Sequence, residues 1–138
     1  MARKILVVDD DADLRRILRG LLAPFGTVLE AANGLDALGL LRAEAPALML
    51  LDVSMPVMDG LAVLTDALAI DPKLPVVMLT GDMDMHIAKR ALEAGARSYI
   101  TKPFEPSSLC AEVRRLTGVG DAVPDEDEAS GRPWRVRR

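Results

Sequence analysis

A chain of 138 residues, half of them apolar, has room for one domain with a core between a sheet and several helices, plus a short tail. Its 21 acids against 17 bases give a formal net charge of −4, which lends no support to nucleic-acid binding by the chain as a whole. One cysteine (Cys110) makes no internal disulfide, one histidine (His86) builds no Cys/His metal site, and no apolar run approaches the roughly 20 residues of a membrane helix, so the expectation is a soluble cytoplasmic protein.

Short apolar runs alternate with segments of helical period. Residues 4–8 (KILVV) read as the first strand. A helix over 11–23 follows, with Leu14, Ile17, Leu18, Leu21 and Leu22 on one stripe and Arg15, Arg16 and Arg19 away from it; Pro24 and Gly26 break it. Residues 27–31 form a weaker strand. Asn33 is placed to cap a helix over 35–43, and 47–51 is a third strand. The next helix spans 60–69 with Leu61, Leu64 and Leu68 inward. A fourth strand at 75–79, a helix at 84–94 and a fifth strand at 97–100 precede a last helix that opens at Pro106 and ends near Leu116. Five strands and five helices in strict alternation imply parallel pairing with right-handed crossovers. Strands such as LMLL and VVML lack polar alternation, so helices cover both faces of a doubly wound α/β sheet. The domain is expected over 1–117. Residues 118–138, acidic and then basic around Trp134, read as a disordered tail, with docking of that arm on a partner as the alternative.

In a parallel sheet all strand C-termini share one edge, where α/β proteins keep their chemistry. Strand one ends in Asp9, Asp10 and Asp11, strand three in Asp52, and strand four in Thr80 followed by Gly81 and Asp82; Thr101, Lys102 and Pro103 follow strand five. Three carboxylates at close range either raise a pKa or hold a cation. A hard divalent ion such as Mg²⁺ prefers such oxygen ligands. Carboxylates, a metal, a hydroxyl and a lysine together suit phosphoryl transfer.

VVDDD at 7–11, LLDVSMPVMDG at 50–60, MLTGD at 78–82 and SYITKPF at 98–104 together resemble the receiver domain of two-component response regulators, over roughly residues 3–117. The resemblance implies a flavodoxin-like sheet of order 2-1-3-4-5. It implies a phosphoprotein of a signal-transduction phosphorelay that is not itself an enzyme. Asp52 would be the phosphoacceptor. Asp10, Asp52 and the Ser54 backbone carbonyl would ligate Mg²⁺, with Asp9 acting through bound water. Lys102 would pair with Asp52 when the site is empty and with the phosphoryl group when it is filled. Thr80 would bind a phosphoryl oxygen and form a switch pair with Tyr99. The Lys102–Pro103 peptide would be cis, and Ser54 and Asp82 would tune the phosphate lifetime. Asp11 is read instead as the cap of the first helix.

The implied partners are a sensor histidine kinase or histidine phosphotransfer protein, docking beside helix one at Arg15, Arg16, Leu18 and Arg19, and a downstream protein or an output domain that this sequence lacks. Output would pass through the surface of helix four, strand five and helix five. A homodimer is a further candidate; direct nucleic-acid and membrane contacts are not expected. His86 and Cys110 read as packing or surface residues, and Met55, Met58, Met83 and Met85 as adaptable packing around the rim. An aspartate-nucleophile phosphatase of the haloacid dehalogenase type is the alternative, but it would carry a second acid at position 54, which is serine. A flavin carrier would want a hydroxyl-rich loop after strand one and aromatic walls; acids stand there and aromatics are 3% of the chain.

Overall fold

The computed structural model describes residues 3–53, 59–81 and 85–118, leaving aside the side chain of Met85. Along the chain run β1 (Lys4–Val8), α1 (Ala12–Leu22), a 3-10 turn (Ala23–Phe25), β2 (Thr27–Ala31), α2 (Gly34–Glu44) and β3 (Leu48–Asp52). There follow α3 (Gly60–Ile70), β4 (Val76–Thr80), α4 (Met85–Glu93), β5 (Ser98–Thr101) and α5 (Pro106–Thr117). The five strands pair in parallel in the order β2-β1-β3-β4-β5.

Apolar side chains leave the strands on both faces, which is why β1, β3 and β4 show no polar alternation. Leu6, Val8, Met49, Leu51, Val76 and Met78 enter the layer under α2, α3 and α4, with Leu38, Leu41, Leu64 and Ala91. Ile5, Val7, Leu48, Leu50, Val77 and Leu79 enter the layer under α1 and α5, with Leu18, Leu22, Leu109 and Val113. Side-chain oxygens close three helix starts. Asp11 accepts from the amides of Asp13 (3.0 Å) and Leu14 (3.3 Å), Asn33 from Asp36 (2.8 Å) and Asp59 from Leu61 (3.0 Å).

Two details of α1 depart from the sequence pattern. Ile17 is 56% exposed instead of lying on the buried stripe, while Leu18 is fully buried and so is absent from the surface to which docking was assigned. The helix packs through Leu18 and Leu22, a stripe four residues apart, with Leu14 and Leu21 half-buried beside it; Ile17 falls outside that arc.

Three strands, β3, β4 and β5, also run one residue further toward the site than the apolar runs suggest. Their hydrogen-bond ladder continues past the last large apolar side chain. The amide of Asp9 donates to Ala31 O (3.1 Å), that of Val53 to Leu79 O (2.9 Å) and that of Lys102 to Thr80 O (2.7 Å). Backbone pairing therefore carries Asp52, Thr80 and Thr101 into strands and fixes Asp9 and Lys102 at their ends.

Candidate functional site

The register brings the carboxylates together. Val8 pairs with Leu51, so Asp9 and Asp52 are the next residues on adjacent parallel strands, and side chains at such positions point to the same face. Both are buried, Asp9 at 0% and Asp52 at 3% exposure, while Asp10 is exposed at the mouth. One oxygen from each of the three lies within 4.8 Å of the others.

Lys102 reaches in from the loop after β5. Its Nζ donates to Asp9 Oδ2 at 3.1 Å and stands 3.4 Å from Asp52 Oδ1. The ammonium thus lies between two carboxylates and closer to Asp9, not paired with Asp52 alone as the resemblance implies. Asp9 Oδ1 is taken by the amide of Asp11 at 2.9 Å, so its other oxygen faces the lysine. Burial lowers the Lys102 pKa, but the hydrogen bond to Asp9 and the charges of Asp52 and Asp9 outweigh it, and the pKa rises above its ordinary 10.5.

Among the described residues the cluster sets three carboxylates against one ammonium, a formal excess of two negative charges. Its donors are all hard oxygens, within 4.8 Å of one another, the ligand type that Mg²⁺ prefers. The donor set of Asp9, Asp10 and Asp52 is consistent with Mg²⁺.

Thr80 is buried at the end of β4. Tyr99 on β5 pairs in register with Met78, two residues before Thr80, and packs half-buried against the layer beneath α4. Alternation puts Thr80 and Tyr99 on the same face of the sheet. The Lys102–Pro103 peptide is cis. Asp11 caps α1. Ser54, Asp82, Met55, Met58, Met83 and Trp134 lie outside the described residues, as does the Met85 side chain. His86 is exposed near the start of α4. Cys110 is half-buried, its Sγ 3.7 Å from Leu21 O, and burial pushes its thiol pKa up.

Two supports of the site escape a reading by periodicity. Gly60 opens α3 hard against the backbone that carries Asp52; a Cβ there would stand 2.8 Å from Val53 Cα and 2.9 Å from Asp52 O. The Asp-Gly pair at 59–60 was the available signal. The second is Arg15, expected on an outward docking face. Its Nη1 donates to Asp9 O at 2.7 Å and its Nε to Glu30 Oε1 at 3.0 Å. The signal there was an acid in the middle of β2, facing two arginines four residues apart on α1.

Residues 5–114 match the response regulator receiver domain, and the chain belongs to that family. It is 43% identical over 114 residues to the probable transcriptional regulator ycf27 of Porphyridium aerugineum, a match spanning 82% of this chain and 47% of the relative. It is 37% identical over 117 residues to the protein CcdB of Bacillus subtilis, spanning 83% of this chain and 98% of that one. Among solved structures, the BeF3-activated receiver domain of DrrB superposes with a TM-score of 0.77 at 34% identity, covering 84% of this chain and 97% of that one. The chain spans about half the length of ycf27. No helix among the described residues is long and apolar enough to cross a membrane.

Proposed function

We propose that this receiver domain accepts a phosphoryl group on Asp52 from the phosphohistidine of a sensor kinase or phosphotransfer protein, and that it serves as acceptor and switch, not as an enzyme for a separate substrate. An Asp52 carboxylate oxygen forms the new bond to phosphorus. The phosphorus–nitrogen bond breaks, and its electron pair leaves with the imidazole. Mg²⁺ would supply charge neutralisation for the phosphoryl oxygens. Asp10, Asp52 and the Ser54 carbonyl would hold it directly and Asp9 through water. Lys102 moves from Asp9 and Asp52 to a phosphoryl oxygen, and the Thr80 hydroxyl donates to another. The new group adds nearly two negative charges at the sheet edge. Movement of Thr80 then biases Tyr99 and the α4–β5–α5 surface toward contact with a downstream protein, an output domain or a second copy of the chain. The donor protein docks beside α1, where Arg16 and Ile17 stand at the surface. Ser54 and Asp82 tune how long the acyl phosphate lasts.

The observation that carries this reading is the Lys102 ammonium within 3.4 Å of two buried carboxylates, with Asp10 completing a cluster of oxygens within 4.8 Å. Incubation with Mg²⁺ and acetyl phosphate tests it by intact mass. The native chain is expected to gain one phosphoryl group, and Asp52→Asn none. Equal labelling of both, or of neither, defeats the assignment.

A further inference from the structure

Asp10 reaches the acidic cluster from an exposed position, and no hydrogen bond to its side chain is seen among the described residues. Its direction is therefore set by its backbone, and both peptide planes that flank it are pinned. The carbonyl of the Asp9–Asp10 peptide accepts from Arg15 Nη1 at 2.7 Å. The amide of the Asp10–Asp11 peptide donates to Asp9 Oδ1 at 2.9 Å. Fixing those two planes fixes φ and ψ of Asp10.

Arg15 is itself held. Its side chain is 17% exposed, and Nε donates to Glu30 Oε1 at 3.0 Å. The second oxygen of Glu30 accepts from Arg19 Nη1, also at 3.0 Å. Glu30 shares β2 with Ala31, whose carbonyl takes the Asp9 amide at 3.1 Å. The turn that presents Asp10 is thus tied to β2 twice, once directly and once through the guanidinium. A planar guanidinium can serve the carbonyl and the carboxylate at once from separate N–H groups; an ammonium would have to reach both from a single nitrogen.

We infer that Arg15, anchored by Glu30, is the positioning residue of the cation site, holding the Asp9–Asp10 peptide so that the Asp10 carboxylate stays within reach of a cation shared with Asp52. This rests on the reading of Asp9, Asp10 and Asp52 as a Mg²⁺ site. Arg15 touches neither the ion nor the phosphoryl group; it acts through the backbone of the ligand. Loss of such an outer support typically costs 10- to 100-fold in metal affinity.

The test is Mg²⁺ titration by calorimetry on the full chain and on Arg15→Met, Arg15→Lys, Glu30→Gln and Asp10→Asn, each first shown to be folded in chelator by circular dichroism. Exchange of the Asp11 amide is measured on the same metal-free samples. Arg15→Met is expected to weaken Mg²⁺ about tenfold or more and to speed Asp11 exchange. Arg15→Lys and Glu30→Gln should each lose less. A merely structural role would lower stability while leaving the affinity of the folded protein and the Asp11 exchange unchanged, and that result overturns the inference. If Arg15→Met does not fold, Glu30→Gln decides on the same two readouts. If the native chain and Asp10→Asn both fail to bind Mg²⁺, the site assignment falls and this inference with it. If the native chain binds and Asp10→Asn does not, only the role of Arg15 is at stake.

Discussion

Where the strands begin, three described cations each meet a partner, be it an acid, a carbonyl or a ring; where they finish, described acids crowd together. At the first end, Lys4 Nζ meets Glu44 Oε1 at 2.7 Å, the Arg3 guanidinium caps the Thr117 carbonyl, and Arg114 lies 5.5 Å from the centre of the Phe25 ring. The backbone there is closed as well, with Thr27 N donating to Arg3 O at 2.7 Å and Ala47 N to Lys4 O at 2.8 Å. At the other end, the carboxylates of Asp9, Asp10 and Asp52 gather, and the Lys102 ammonium stands against two of them. The first end seals the fold. The second holds repulsion in reserve, which a divalent cation or a phosphoryl group with its metal can relieve. Changes at the two ends should therefore differ in whether Mg²⁺ alters their effect.

The largest effect is expected at Lys102. Lys102→Met strips the ammonium from between two buried carboxylates and leaves both uncompensated, a change that costs about 3 kcal/mol in metal-free protein. Added Mg²⁺ should return part of that loss. Urea unfolding in chelator and in saturating Mg²⁺ measures both; equal losses in the two would place the repulsion elsewhere. The same variant has a pH signature. The native Lys102 pKa lies above 10.5, so its protonated form stabilises the fold. That contribution is complete below about 10.5 and is lost as pH climbs through the raised value. Lys102→Met should flatten the alkaline part of the stability curve attributable to this group.

Next comes Asp52→Asn. It removes one of the crowded charges, so the metal-free fold is expected to gain about 1 kcal/mol despite losing an attraction to Lys102. In the native chain, Mg²⁺ at a hundred times its dissociation constant should add about 2.7 kcal/mol by mass action. Asp52→Asn should lose most of that increment. A variant that is both more stable without metal and less responsive to it has no counterpart at the sealed end.

The same contrast explains what the sequence disclosed. The apolar runs located each strand to within a residue, because burial on both faces leaves a compositional mark. The ends of β3, β4 and β5 slipped because the ladder beyond Leu51, Leu79 and Ile100 is made of backbone groups, which leave none. Strand order was not readable from the runs themselves, since KILVV, LMLL and VVML are interchangeable in kind; it came from the resemblance and is the order observed. The acids and the lysine at the strand ends were legible as types at positions. The pairing of Lys102 with Asp9 as well as Asp52, and the inward turn of Arg15, depend on distances across 93 and 6 residues that spacing does not encode.

The smallest effect should be at the sealed end. Lys4 and Glu44 approach within 2.7 Å, yet their side chains remain 40% and 37% exposed. Water screens the pair, and holding two long side chains in one geometry offsets much of the attraction. Lys4→Ala is therefore expected to cost less than about 1 kcal/mol, to weaken further in high salt, and to be the same with and without Mg²⁺. Urea unfolding under those three conditions checks it. A Lys4→Ala effect that changed with Mg²⁺ would mean that the two ends of the sheet are coupled. The division into a sealing edge and a responsive edge would then have to give way to one cooperative electrostatic unit.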